Sequence, residues 1–188
     1  VSEFDGSLHL EMTVTDQRSR ATIEFEQGLD SMSLSYDALM HAENAYFYGE
    51  NSLLFTDSDG GEFSVSFKPQ RTSWAPSYEN DADNFDLPRM LLIDPNGDNI
   101  SVYSSGANTS SFFDDWTRIE IAFESDTGTL EIDMESDGIA DLVIQDELLV
   151  GATAESYTMG TYGWWIGHYT KIDGFDLVGT YVADEFIF

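Results

Sequence analysis

Residues 131–141 carry five carboxylates in eleven positions, as Glu131-Ile132-Asp133-Met134-Glu135-Ser136-Asp137-Gly138-Ile139-Ala140-Asp141. On a strand, side chains alternate with a period of two, which puts Glu131, Asp133 and Glu135 on one face and Ile132 and Met134 on the other. Carboxyls so arranged suit a retaining sugar-cleaving mechanism, which needs a nucleophile and an acid about 5 Å apart. A second chemistry overlaps the first. Asp133-x-Glu135-x-Asp137-Gly138-x-x-Asp141 offers oxygen ligands at alternate positions, with a glycine for the sharp turn by which a short loop wraps a hard cation. A third reading is a plain hairpin with Asp137-Gly138 at its turn. In that case Asp133 lies on a strand, outside any loop that holds Asp137 and Asp141.

Similar acidic spacing recurs at Asp57, Asp59 and Glu62, at Asp94, Asn96 and Asp98, and at Asp81, Asp83 and Asp86. Any metal here must be held by oxygen. The chain has no cysteine and only three histidines, scattered at His9, His41 and His168. Carboxylates and carbonyls select calcium or magnesium over the transition metals, and calcium is the expected cofactor.

Thirty-six Asp and Glu against seven Lys and Arg leave a net charge of -29. A surface so negative repels phosphate backbones, so nucleic acid is not an expected partner. Self-repulsion of this size must be offset by bound cations or by a salty medium, which points to a secreted, extracellular or cell-surface setting. Two Asn-x-Ser sequences that fit glycan acceptors, at Asn99 and Asn108, agree with that setting. No apolar run reaches the roughly 20 residues needed to cross a bilayer, so no membrane insertion is expected, and any signal peptide is expected to have been removed. Aromatics at 14% and hydrophobics at 41% give ample material for a core.

Several aromatics sit where a ligand could meet them. The stretch from Pro69 to Pro88 reads as a long surface loop with Trp74 and Tyr78, flanked by Arg71 and Arg89, which could hold an acidic sugar. Trp164 and Trp165 point to opposite faces of one strand, so one of them meets solvent, a loop or a ligand. Rings beside carboxylates suit sugars, whose apolar faces stack while their hydroxyls are hydrogen-bonded.

The elements that must position these groups are strands. Leu8, Leu10, Met12 and Val14 alternate with polar residues, as do Ala21, Ile23, Phe25; Met32, Leu34, Tyr36; Phe63, Val65, Phe67; Ile100, Val102; Ile119, Ile121, Phe123; Leu130, Ile132, Met134; and the run from Tyr181 to Phe188. Turn signals such as Asp57-Ser58-Asp59-Gly60-Gly61 and Asp126-Thr127-Gly128 separate about a dozen of them. Only Tyr36 to Asn44 reads as a helix, some two turns long. The expected fold is all-β, a single two-sheet antiparallel sandwich domain over residues 1–188.

The second half resembles a known family. Trp116-Thr117-Arg118-Ile119-Glu120-Ile121-Ala122-Phe123, a glycine turn, Thr129-Leu130-Glu131-Ile132-Asp133 and then Asp137-Gly138 are similar to paired strands of the concanavalin A-like, or laminin G-like, jelly rolls. Gly163-Trp164-Trp165-Ile166-Gly167-His168-Tyr169 and Tyr181-Val182-Ala183-Asp184-Glu185-Phe186 resemble the closing strands of that family. The resemblance implies two curved antiparallel sheets, often with calcium at an edge, in proteins that range from lectins and adhesins to polysaccharide lyases and glycoside hydrolases. One fold with so many uses makes the sites decisive.

Glu131-x-Asp133-x-Glu135 also matches the core motif of the family-sixteen glycoside hydrolases, which share the fold. Its position departs from theirs, because it falls in the hairpin after Trp116, on a strand that ordinarily carries no catalysis. The Asp133 to Asp141 run resembles calcium loops of extracellular modules, with Glu135 in place of Asp and Ile144 where an EF-hand sets its bidentate Glu. The leading expectation is a non-catalytic carbohydrate-binding or adhesive module with structural calcium, its partner a polysaccharide or other glycan. The alternatives are a self-associating subunit of an extracellular filament or surface layer, and a polysaccharide-cleaving enzyme.

Overall fold

The computed structural model describes residues 3–4, 10–13, 18–41, 47–68, 70–71, 89–94, 96, 99–104, 115–134, 137–163 and 169–180. They form strands β1 (Glu3–Phe4), β2 (Leu10–Thr13), β3 (Arg18–Leu29), β4 (Ser31–His41), β5 (Phe47–Thr56), β6 (Glu62–Lys68), β7 (Gln70–Arg71), β8 (Arg89–Ile93), β9 (Asn99–Ser104), β10 (Trp116–Glu124), β11 (Thr129–Asp133), β12 (Leu142–Gln145), β13 (Thr153–Gly163) and β14 (Tyr169–Thr180). A 3-10 turn, Glu147–Leu149, starts on Asp146, whose carboxylate accepts the Leu148 amide.

Two antiparallel sheets result. Sheet I has the order β1-β14-β4-β10-β11-β12, with β2 also on β14; sheet II has the order β3-β13-β5-β6-β8-β9, with β7 on β5. The chain changes sheets repeatedly, and most neighbours are distant in sequence. Ile121 stands opposite Leu34 in sheet I and Leu53 opposite Tyr157 in sheet II.

Alternation explains which residues go inside. In β10, Ile119, Ile121 and Phe123 are buried while Glu120 is half-exposed and Ala122 and Glu124 exposed; in β6, Phe63, Val65 and Phe67 are buried. The two inner faces meet between the sheets. Phe55 of sheet II packs edge-on against Phe123 of sheet I with ring centroids 4.9 Å apart and stacks on Phe63 at 5.3 Å. Beside this apolar centre, Tyr36 of β4 meets Tyr157 of β13, their hydroxyl oxygens 2.7 Å apart. Each hydroxyl also lies 3.3–3.4 Å from Asn51 Oδ1. Burial drives both tyrosine pKa values up, because ionising a phenol away from water is costly.

The helix expected from Tyr36 to Asn44 is not formed over its described part: Tyr36 to His41 continue β4. Asp-Ala-Leu-Met suits a helix locally, but Leu34, Tyr36 and Ala38 are buried at alternate positions, and β4 is laddered to both β10 and β14. Two flanking ladders outweigh a local propensity that is small per residue. Two residues of the expected loop are strand as well. Gln70 and Arg71 pair with Tyr48 and Phe47, continuing the register in which Asn51 faces Phe67. Residues 72–88 and the final strand expected at 181–188 lie outside the described residues.

Candidate functional site

The acidic turn of residues 133–141 is built by its own carboxylates. Asp133 ends β11 and is 8% exposed; its Oδ2 accepts the Gly138 amide at 2.7 Å. Asp141 answers from the other side, where its Oδ2 accepts the Met134 amide at 2.8 Å and its own amide donates to the Ile132 carbonyl at 2.8 Å. Asp137 Oδ1 accepts the Ile139 amide, and Gly138 takes φ +83°, a conformation that suits glycine. Asp133 is thus both a strand residue and a brace of the loop, which combines two of the readings made from sequence.

Of the carboxylate trio, Glu131 and Asp133 are alternate residues of β11. Glu131 is exposed, with Ala122 and Val143 as its cross-strand neighbours, and Asp133 follows on the same face. Asp133 has a carboxylate oxygen bonded to a backbone amide, and Glu135 lies outside the described residues. The turn between β5 and β6 has the same character: Asp57 Oδ1 accepts the amides of Asp59 at 2.9 Å and Gly61 at 2.7 Å, with Glu62 beginning β6. After β8, Asp94 Oδ1 accepts the Asn96 amide, and Asp94 Oδ2 accepts the Asn96 side-chain amide. Asp81, Asp83, Asp86 and Asp98 lie outside the described residues. Among the described residues no three of His, Asp and Glu stand close enough to hold a metal ion.

Trp74, Tyr78 and Trp164 are also outside the described residues. Arg71 in β7 pairs with Phe47, Phe47 pairs with Gly163 at the end of β13, and Trp164 follows in sequence. Arg89 opens β8 opposite Lys68. Both arginines singled out in the sequence therefore sit at the same end of sheet II.

Sequence reading did not foresee the outer face of that sheet. One register row runs Thr22, Thr158, Ser52, Ser66, from β3 through β13 and β5 to β6. The next runs Glu24, Ser156, Leu54, Ser64. Thr22 and Thr158 are linked through their hydroxyls at 2.9 Å. Ser66 and Ser156 are only 4% and 5% exposed, Ser52 and Thr158 are half-buried and Thr22 is exposed, so the hydroxyls form a partly covered floor that is open at the β3 edge. The signal was present in β6: the residues that alternate with Phe63, Val65 and Phe67 are Ser64 and Ser66, in a chain where acids are abundant. Such a floor offers donors and acceptors with little side-chain bulk, suited to a flat polyhydroxyl ligand.

The architecture also matches solved structures. Over 92% of this chain and 84% of the other, it is similar at a TM-score of 0.62 to the legume lectin-like domain from Entamoeba histolytica, with 11% sequence identity. The fold is a concanavalin A-like jelly roll. A tetrameric galectin from the ball sponge Cinachyrella sp. has the same jelly roll at 7% identity and TM-score 0.55, covering 87% of this chain and all of that one. Lactose- and MES-liganded congerin II does so at 12% identity and TM-score 0.54, over 85% of this chain and all of that one. The sequence matches no protein-family model and no curated protein. At these identities the jelly roll itself is what is shared. Among the described residues no helix is long and apolar enough to cross a membrane.

Proposed function

We propose that this chain is a non-catalytic carbohydrate-binding module of a secreted or cell-surface protein, working as a lectin or adhesin. The observation that carries the reading is the outer face of sheet II, where Thr22, Thr158, Ser52 and Ser66 form a hydroxyl row, open at Thr22 and closing toward the buried Ser66. The jelly roll supports it, since the similar structures include a lectin-like domain, a galectin and a lactose-liganded protein. The ligand residues of the proposal are Arg71 and Arg89, at one end of that sheet, together with Trp74, Tyr78 and Trp164, which lie outside the described residues.

A glycan array probed with the purified chain, with and without calcium, tests this reading. Selective binding that is lost in Trp74→Ala is the expected result, and silence across the array overturns it. Calcium belongs to the proposal at the turn of Asp133, Glu135, Asp137 and Asp141. Asp133, Asp137 and Asp141 already accept backbone amides, so a cation there would share oxygens that brace the loop. A thermal melt at low salt, with calcium and with chelator, should differ in midpoint; coincident melts remove calcium from the proposal.

A further inference from the structure

Strand β3 is an edge of sheet II: among the described residues its ladder partner is β13. Its outward side chains Arg20, Thr22, Glu24 and Glu26 are exposed. Its inward ones, Ala21, Ile23 and Phe25, pack on the core but are only half-buried, whereas the inward Leu53, Phe55 and Val65 deeper in the sheet are buried. A sheet edge of this kind offers backbone N–H and C=O groups to a further strand, and proteins commonly guard it with lysine, proline or an inward charge. β3 has no lysine and no proline, and Ala21, Ile23 and Phe25 are uncharged.

The order of charges along β3 selects the strand that fits it. From Arg18 to Glu26, alternate positions read Arg, Arg, Thr, Glu, Glu, basic on one side of Thr22 and acidic on the other. Reversed, the pattern is its own complement. We propose that β3 pairs antiparallel with β3 of a second copy of this chain, about a two-fold axis at Thr22. In that register Arg20 faces the partner's Glu24 and Glu24 the partner's Arg20, Thr22 faces its own copy, and on the inner side Ala21 meets the partner's Ile23. Parallel pairing would set Arg20 beside Arg20 and Glu24 beside Glu24, an axis at Ile23 would leave Glu24 opposite Thr22, and one at Glu24 would bring like charges face to face. The ladder to β13 is regular from Arg18 to Glu24 and shifts beyond it, so the pairs between Arg20 and Glu24 carry the contact. Arg20 already has a contact within its own chain, and the several N–H donors of a guanidinium serve a second carboxylate as well.

Two copies, each of charge -29, repel one another at long range. Opposite residues of an antiparallel pair stand about 5 Å apart, inside the Debye length of about 8 Å at physiological ionic strength, so salt damps the overall repulsion more than it damps these pairs. The half-buried Ala21 and Ile23 lose further apolar surface to the partner strand. An axis perpendicular to the sheet keeps both outer faces on one side. Thr22 is the open end of the hydroxyl row, so the rows of the two copies join end to end. The dimer forms whether or not that face binds sugar.

Sedimentation of the purified chain over a range of concentrations, at physiological ionic strength, should show a reversible dimer. Arg20→Glu and Glu24→Arg should each weaken it by about tenfold or more, and the two together, which restore opposite charges across the axis, should recover it. Bulk charge alone predicts otherwise, because Glu24→Arg lowers the net negative charge. As the chain has no cysteine, Thr22→Cys probes the axis directly: residues opposite one another in a ladder are within disulfide reach, so oxidation should give a covalent dimer, while Ser33→Cys, exposed on sheet I, should stay monomeric. A chain that is monomeric at every concentration overturns the proposal, whether or not it takes up an added peptide at β3. So does a dimer that Glu24→Arg strengthens, a dimer indifferent to both substitutions, or equal cross-linking of the two cysteine variants.

Discussion

The outer faces of the two sheets are made from the same alternation but from different residues. On sheet I the outward positions include Asp37, Glu120, Glu131, Asp133, Asp173 and Asp176, and Arg118 sits among them. Its Nη1 lies 3.5 Å from Asp37, its Nε 3.5 Å from Glu120, and its Nη2 donates to Ser35 at 2.6 Å. On sheet II the corresponding positions are Thr22, Glu24, Ser52, Leu54, Ser64, Ser66, Ser156 and Thr158. The first face spends its charges on neighbouring side chains and loop amides, and so serves the fold. The second face is built mainly of small hydroxyl side chains, with Glu24 and Leu54 among them, and in the proposal it serves a ligand. What separates them is the density of acidic charge on their outward side chains.

The sharpest attempt to break this division is Ser52→Trp, which raises a bulky ring in the hydroxyl row. Glycan affinity should fall about a hundredfold, and stability in urea should move by no more than about 0.5 kcal/mol. A loss of stability with binding retained would reverse the roles of the faces. Asp133→Ala is the mirror experiment on sheet I. It strands the Gly138 amide and should lower the free energy of unfolding by about 1–3 kcal/mol without touching glycan affinity.

A third test concerns the seam between the sheets. Tyr36 and Tyr157 hold their protons in the folded protein to a higher pH than in the unfolded chain, where phenols ionise near 10. Their contribution is intact below that value. Above it the unfolded state binds fewer protons than the folded one, so stability falls, by up to about 1.4 kcal/mol per pH unit for each tyrosine. Denaturation between pH 9 and 11 should show a shallower decline in a Tyr36→Phe, Tyr157→Phe double variant than in the parent. Parallel declines would mean that the pair does not set the alkaline limit. The smallest effect belongs to Arg118→Gln. Its ion pairs are more than a third exposed, so the loss should stay under about 1 kcal/mol and shrink further in high salt.

Local alternation made much of the sandwich legible: β3, β6, β10 and β11 coincide with runs read from apolar spacing alone. β5 and β13 were harder to see. Asn51 occupies a buried position in β5, and the register of β13 shifts between Ala154 and Ser156, so neither shows a clean period of two. These are the central strands of the hydroxyl face, which is why that face was missed. The turn at 133–141 was legible as chemistry but ambiguous as geometry. Whether Asp133 joins the loop depends on its carboxylate reaching Gly138, five residues on.

By itself the sequence determined that the chain is built of strands, which side of each is apolar, that any bound metal is held by oxygen, and that positive charge is rare. These are properties of composition and of neighbours along the chain. Only the tertiary structure decided that Thr22, Thr158, Ser52 and Ser66 share a row. The physical reason is that a row across a sheet is a matter of register. Register is settled when buried faces from distant segments close on one core, and a slip of one residue would turn every side chain of a strand to the opposite face.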